Sequence, residues 1–247
     1  MESILLQILI TPLVASLVIF VFRKAIGRQA GWIAALSLCY STILIIVAGV
    51  QIANGAVITE EYLAFSPGIR LGLLADGLSL PTMGVINLLC TALAFYAVHY
   101  IEHRIEILYG TESDETQRSY YTRFYYLFLL FPLGFMGVSL STNLISMYFF
   151  MEVLTITLYF LMAWFGYVQK VKVAFICLAW GIGGALFFLL GSTVIYSAVG
   201  SFEIAAIAEI SGTTTATWVI AIVLVGMLAK LAIIPFHVWM PWVHAEH

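Results

Sequence analysis

Seven apolar stretches, each about as long as a bilayer is thick, constrain the fold of this chain. A helix needs about 20 apolar residues to cross a membrane. Because hydrocarbon offers no hydrogen-bond partners, the backbone of each stretch must form its bonds within a helix. Charged residues make up only 9% of the chain and hydrophobic residues 63%. We therefore predict an all-α, multi-pass membrane protein with about seven transmembrane helices at Ser3–Phe22, Ala30–Ala53, Leu78–Tyr100, Phe124–Leu140, Leu144–Tyr167, Val173–Val199 and Ala216–Ile234.

Two charged side chains interrupt these stretches. Glu152 falls in the fifth stretch and Lys230 in the seventh, and no other Lys, Arg, Asp or Glu lies within the seven. A charge at the bilayer centre costs about 2.5–3.5 kcal/mol on insertion scales. Such groups therefore face a partner or a water-filled cavity and often mark an ion pathway. The two residues predict an ion or proton path.

Two prolines follow the seventh stretch closely. Pro235 and Pro241 each remove a backbone donor and clash with the preceding turn, so we predict a broken helix near Pro235. Irregular backbone at that depth is tolerated only inside protein or beside water. His237 and His244 flank this segment. Since histidine titrates near neutral pH, both could extend a proton path from Lys230, or they could be satisfied structural groups.

Basic residues in the loops predict the orientation. Only Arg70 lies on one side, in the Ile58–Leu74 segment, where we expect a short amphipathic hairpin. Because cytoplasmic loops carry the excess of Lys and Arg, the N-terminus is predicted outside and the basic loops in the cytoplasm. The basic residues on that predicted cytoplasmic side are Arg23, Lys24, Arg28, Arg104, Arg118, Arg123, Lys170 and Lys172.

Five sequence stretches resemble one family in the same order. They are LGLLADGLSLPTMGVINLL, NLISMYFFMEVLTITLYFL, VQKVKVAFICLAWGIGGALFFLLG, YSAVGSFEIAAIAE and KLAIIPFHVWMPWVHAEH. The last is the most specific, and it holds Lys230, Pro235, His237, Trp239, Pro241 and His244. The chain resembles the antiporter-like, proton-translocating subunits shared by respiratory complex I, Mrp-type cation/proton antiporters and membrane-bound group-4 hydrogenases and related complexes.

The resemblance implies roles for the charged residues and for the whole chain. Lys230 would be the proton carrier and Glu152 the modulator of its pKa, inside a multisubunit membrane complex that moves protons, with sodium/proton exchange left open. Peripheral cytoplasmic redox subunits would be partners in a translocase of the NADH, ferredoxin or hydrogenase type. The chain itself offers no nucleotide loop, cluster ligands or cofactor site, so its own enzymatic activity stays uncertain. The parent complex is also left open.

The family usually has about twice this length, in two inverted repeats. The chain is therefore expected to be a fragment or a split-gene subunit with an incomplete inverted-repeat fold. We expect three parts: residues 1–100 with three helices and a periplasmic loop, residues 101–123 as a cytoplasmic loop, and residues 124–247 as the first part of the proton-translocating repeat.

Two other functions remain open. In a structural membrane scaffold, Lys230 and Glu152 would form a static ion pair between helices. In an intramembrane metalloenzyme, a metal would bind among His237, His244, Glu246 and His247. The sequence HAEH lacks the i, i+4 histidine pair of a zinc-protease helix, and the three cysteines are isolated, so we predict no metal or cofactor site. A formal charge of −3 and the absence of a basic run indicate no nucleic-acid partner.

Overall fold

The computed structural model describes residues 3–66 and 69–246. Within these ranges the chain forms nine α-helices, three 3₁₀ segments and a two-stranded sheet. The helices are α1 (Ile4–Val21), α2 (Arg23–Ile26), α3 (Ala30–Ala53), α4 (Ser79–Tyr109), α5 (Asp114–Leu140), α6 (Leu144–Phe165), α7 (Lys170–Val199), α8 (Thr214–Lys230) and α9 (Met240–Glu246). The strands are β1 (Ile58–Ser66) and β2 (Ile69–Ala75), so the hairpin expected in this segment is confirmed as a pair of strands.

Six helical stretches are long and apolar enough to cross a membrane, among the residues described. They are α1, the stretch Arg23–Ala53 that joins α2 to α3 through a 3₁₀ turn, and helices α4 to α7. The seventh apolar helix, α8, has 17 residues and is shorter than the other six. The prediction of a helical, multi-pass membrane protein is confirmed.

Helices α4 and α5 extend well beyond their apolar stretches. Residues 101–123, expected as a loop, lie mostly within them, and only a short turn separates Tyr109 from Asp114. Acidic residues in the first turn of α5 suit the positive end of the helix dipole. Arg118 also pairs with Asp114 one turn away at 2.8 Å, a spacing that supports an exposed helix. Helices α4 and α5 therefore continue past their apolar segments into sequence that carries charged side chains.

The chain folds as two compact units. The first comprises the residues up to Glu60 together with Leu74–Leu140, and its core is formed by α1, α3, α4 and α5. A buried polar contact joins α3 and α4, where the Asn87 side-chain amide donates to Thr42 Oγ1 at 2.8 Å and to the Leu38 carbonyl at 3.2 Å. Hydrogen bonds of this kind supply specificity between helices that all present apolar surfaces.

Two carboxylates fix helix starts in the first unit. Glu60 accepts hydrogen bonds from the backbone N–H groups of Leu5 and Leu6, both at 3.0 Å, at the N-terminus of α1. Asp76 accepts from the N–H groups of Leu78 and Ser79 and from the Ser79 hydroxyl at 2.8–3.0 Å, just before α4. Helices begin with unpaired N–H groups. The sequence Asp-Gly-Leu-Ser at residues 76–79 therefore marks the start of α4.

The second unit comprises Glu61–Leu73 and the chain from Ser141 onward. Three backbone hydrogen bonds hold the residues that precede α6: Thr142 N–H to the Gly72 carbonyl, Leu144 N–H to the Phe202 carbonyl, and Ile204 N–H to the Thr142 carbonyl. Asn143 caps α6, because its side-chain oxygen accepts from the Ile145 N–H at 2.9 Å. These hydrogen bonds fix the start of α6. They thereby fix the position of Glu152, which lies about two turns further along the helix.

Candidate functional site

Lys230 is the last residue of α8, and the helix break begins immediately after it. The sequence placed Lys230 inside a span that continued to Ile234, so the break is confirmed but starts four residues before Pro235. The reason is steric: a proline clashes with the carbonyl four residues back, here that of Leu231. Ala232 then adopts a left-handed conformation with φ of 53°. The lysine lies at the negative end of the helix dipole, which favours a cation.

Trp239 closes the broken segment onto α8. Residues Phe236–Trp239 form a 3₁₀ turn, and the Trp239 indole N–H donates to the Ala229 carbonyl at 3.0 Å. The last carbonyls of a helix lack the usual partners within the helix; the Ala229 carbonyl accepts from the Ala232 N–H at 3.4 Å, and the indole adds a second, shorter bond. Trp239, which belongs to the motif KLAIIPFHVWMPWVHAEH, therefore has a structural role next to Lys230.

The Lys230 ammonium group reaches α6. Its Nζ donates to the Thr155 hydroxyl oxygen at 3.0 Å and approaches the Met151 carbonyl oxygen at 3.4 Å. Thr155 in turn donates its hydroxyl proton to the Met151 carbonyl at 2.9 Å. Because that proton is committed, the Thr155 oxygen is an acceptor facing the ammonium group. Thr155 is buried, and no feature of the sequence marks it as part of the site.

Glu152 lies on the same helix, between the two groups that Lys230 contacts. No ion pair within 4.0 Å joins it to Lys230 in the described part of the chain. Its Oε1 atom is buried and has no hydrogen-bond partner among the described residues. Burying a polar group without a partner is costly. The structure therefore brings the two predicted charges to the same turn of α6, with the lysine bonded to the threonine and the carboxylate unengaged.

Glycines allow α7 to approach α6 and α8 closely. A Cβ atom at Gly181 would lie 2.6 Å from Thr155 Cγ2, and one at Gly184 would lie 2.7 Å from the Gly226 carbonyl oxygen and 3.3 Å from the Lys230 backbone nitrogen. Small residues allow close helix packing in lipid. These contacts hold Lys230 and Thr155 against one face of α7.

The remaining predicted residues lie beyond the break. His237 is exposed in the 3₁₀ turn and His244 is exposed in α9, as is Pro241 at the start of that helix. Neither histidine forms a hydrogen bond or ion pair within residues 3–66 and 69–246. The Glu246 side chain and His247 lie outside the described part of the structure. No group of three or more His, Cys, Asp and Glu side chains in the described part is placed to hold a metal ion.

The fold and the site define a multi-pass membrane protein in which a half-buried lysine at the end of α8, beside a helix break, reaches the helix that carries a glutamate. Residues 141–247 match the family described as NADH:quinone oxidoreductase/Mrp antiporter, TM. A Staphylococcus aureus protein named as antiporter subunit mnhA2 is 29% identical over 259 residues, covering 98% of this chain and 29% of that protein. Both matches agree with the antiporter-like subunit family predicted from the motifs.

Two solved structures share the fold. An archaeal respiratory complex, the membrane-bound sulfane sulfur reductase, has a chain that superposes with a TM-score of 0.77 at 20% identity, covering 98% of this chain and 47% of that one. The Mrp complex from Dietzia sp. DQ12-45-1b gives a TM-score of 0.72 at 19% identity, covering 96% and 42%. The present chain therefore spans less than half the length of the chains that it matches.

Proposed function

We propose that this chain forms the Lys230–Glu152 part of a proton path in an antiporter-like subunit, with Lys230 as the proton carrier and Glu152 as the modulator of its protonation. The observation that carries the proposal is the position of the lysine. Its ammonium group is bonded to Thr155 and lies beside Met151, while the unpaired carboxylate of Glu152 sits between these two residues in the sequence.

This arrangement supports a lysine with two alternative partners. Glu152 and Thr155 are three residues apart, and residues at this spacing share one face of a helix. The lysine side chain is long and flexible, so its ammonium group can exchange the threonine hydroxyl for the carboxylate by rotating its own bonds. A nearby carboxylate favours the charged lysine, and burial without one favours the neutral form. Movement between the two positions would therefore couple lysine position to proton uptake and release.

The helix break supplies the polar surroundings that such a step requires. The backbone leaves the α-helix directly after Lys230, and irregular backbone occurs at membrane depth only within protein or beside water. His237 and His244 would continue the path on the far side of the break, where both are exposed. Protons would be the transported ion, and exchange for sodium would be a further property of the parent complex.

The protein would act inside a larger membrane complex, with other integral membrane subunits as partners. Relatives of this chain are named as an antiporter subunit and occur in an Mrp complex and an archaeal respiratory complex. Peripheral cytoplasmic redox subunits would drive the module in a respiratory setting. We also propose that the N-terminus lies outside and the loops rich in Lys and Arg face the cytoplasm, as the positive-inside rule predicts.

Neutralising each charge in the intact complex tests the proposal. We expect Lys230→Ala to abolish proton translocation and Glu152→Gln to reduce it at least tenfold, with normal assembly of the complex. Translocation is measured as acidification of proteoliposomes that collapses on adding an uncoupler. Normal translocation by both variants would contradict the proposal. Normal translocation with impaired assembly would instead favour the scaffold function.

A further inference from the structure

A cationic cavity of about 530 Å³ opens in the first unit, whereas Lys230 belongs to the second. It forms where α1 passes into the short helix α2, against the first turns of α5. Polar and charged side chains make up its whole lining, which consists of Arg23, Lys24, Asp114, Glu115, Thr116, Arg118, Ser119, Tyr120 and Arg123. The proposed proton path uses none of these residues.

The cavity carries an excess of positive charge. Four of its lining side chains are cationic and two are anionic. Asp114 is already paired, to Arg118 at 2.8 Å and to Arg28 at 3.6 Å. Arg23 and Lys24 have no ion-pair partner within 4.0 Å in the described ranges of the chain. Both side chains are exposed, so the cavity presents two cations that no acidic group of the described chain neutralises.

One wall of the cavity is held in place by aromatic stacking. The Arg123 guanidinium group lies 5.1 Å from the centre of the Tyr120 ring. That ring stacks in parallel on Tyr109, with 3.9 Å between the ring centres. Cation–π contacts of this kind orient an arginine. Arg123 is therefore presented toward the cavity without the freedom of an isolated surface arginine.

An apolar surface adjoins the cations directly. Phe20, Val21 and Phe22, the three residues before Arg23, are 49%, 65% and 58% exposed. They end a helix that is long and apolar enough to cross a bilayer. Side chains at such a boundary lie at the level of lipid headgroups. A ligand here would meet cations with one end and apolar surface with the other.

We propose that this cavity binds the headgroup phosphate of an anionic phospholipid, whose acyl chains lie along Phe20, Val21 and Phe22. The net positive charge selects an anion, and the apolar flank favours a lipid over a free phosphate ion. Basic pockets between transmembrane helices recognise anionic headgroups in this way. The bound lipid would fix the α1–α2 corner against α5.

Lipid titration of the purified complex tests the proposal. Native mass spectrometry would follow the binding of phosphatidylglycerol, of phosphatidylcholine and of inorganic phosphate. We expect a preference for phosphatidylglycerol that falls about 30-fold in the Arg23→Gln/Lys24→Gln double variant, because each cation near a membrane surface contributes about fivefold to such binding. Lys170→Gln/Lys172→Gln removes the same charge from the first turn of α7 and should leave binding unchanged. The charge-preserving swap Arg23→Lys/Lys24→Arg should also retain it.

Three outcomes would overturn the proposal. Equal binding of phosphatidylglycerol and phosphatidylcholine would show that the cavity does not select anionic lipid. Inorganic phosphate that displaces the lipid completely would indicate a site for the free ion. Loss of a partner subunit from the Arg23→Gln/Lys24→Gln complex, with lipid binding unchanged, would assign the cavity to an acidic protein surface.

Discussion

Substituting alanine for Gly184 should disturb the site by moving Lys230. The added Cβ atom would lie 2.7 Å from the Gly226 carbonyl oxygen, about 0.7 Å closer than the 3.4 Å at which ordinary contact begins. It would also lie 3.3 Å and 3.4 Å from the backbone nitrogen and Cβ of Lys230. These neighbours are backbone or close to it, so relief requires α7 and α8 to separate. Overpacking of this kind costs about 1–3 kcal/mol.

The neighbouring residue Gly183 supplies a matched control. A Cβ atom there meets no atom within 4 Å, and both substitutions gain the same helix propensity, about 1 kcal/mol. Gly184→Ala should therefore be less stable than Gly183→Ala by about 1–3 kcal/mol. It should also translocate protons at least tenfold more slowly, because an error of about 1 Å in a reacting group can cost about 100-fold.

Thermal unfolding in detergent and proton uptake by proteoliposomes would measure the two effects. Equal melting temperatures for Gly183→Ala and Gly184→Ala would refute the reasoning, since the close crossing of α7 and α8 would then carry no constraint. Equal translocation rates despite a difference in stability would show that the close packing of α7 against α8 does not position Lys230 for translocation.

Three further changes test individual contacts. Thr155→Val keeps the side-chain shape but removes the acceptor for Lys230, so translocation should fall at least tenfold, while Thr155→Ser and the control Thr157→Val, a buried threonine on the same helix, should retain it. Trp239→Phe should lose about 1 kcal/mol of unfolding free energy with the bond to Ala229, and Trp242→Phe should not, because its ring stays available to Lys172. Hydrogen bonds from Ser79 and Leu78 lower the pKa of Asp76 below its ordinary value of 3.8. The charged carboxylate therefore adds stability above that pH and loses it as the pH falls, so the difference in melting temperature between wild type and Asp76→Asn should shrink toward zero in acid.

The membrane spans could be predicted because apolar composition leaves the backbone one option. A stretch of 20 apolar residues in hydrocarbon must be helical, and all the predicted stretches contain helices. The ends of α4 and α5 could not be read in the same way, because their last and first turns are polar and held by local pairs such as Arg118 with Asp114. Hydropathy marks only the part of a helix that lies in lipid, and α4 and α5 continue beyond that part.

Part of the candidate site could also be predicted from the apolar composition of the spans. The scarcity of intramembrane charge identified Lys230 and Glu152, and the clash of Pro235 with Leu231 could have located the end of α8. Thr155 could not be found, because its role depends on α8 and α6 both packing against α7. A threonine in an apolar helix has no distinguishing signal until its neighbour is known.

Proton translocation by the Lys230→Ala variant is the most direct test of the account. The intact complex would be reconstituted with Lys172→Ala as the matched loss of a lysine, and uncoupler-sensitive pH changes would be recorded at equal protein content. We predict no translocation above background for Lys230→Ala and a wild-type rate for Lys172→Ala. A wild-type rate in an assembled Lys230→Ala complex would contradict the role of Lys230 as proton carrier.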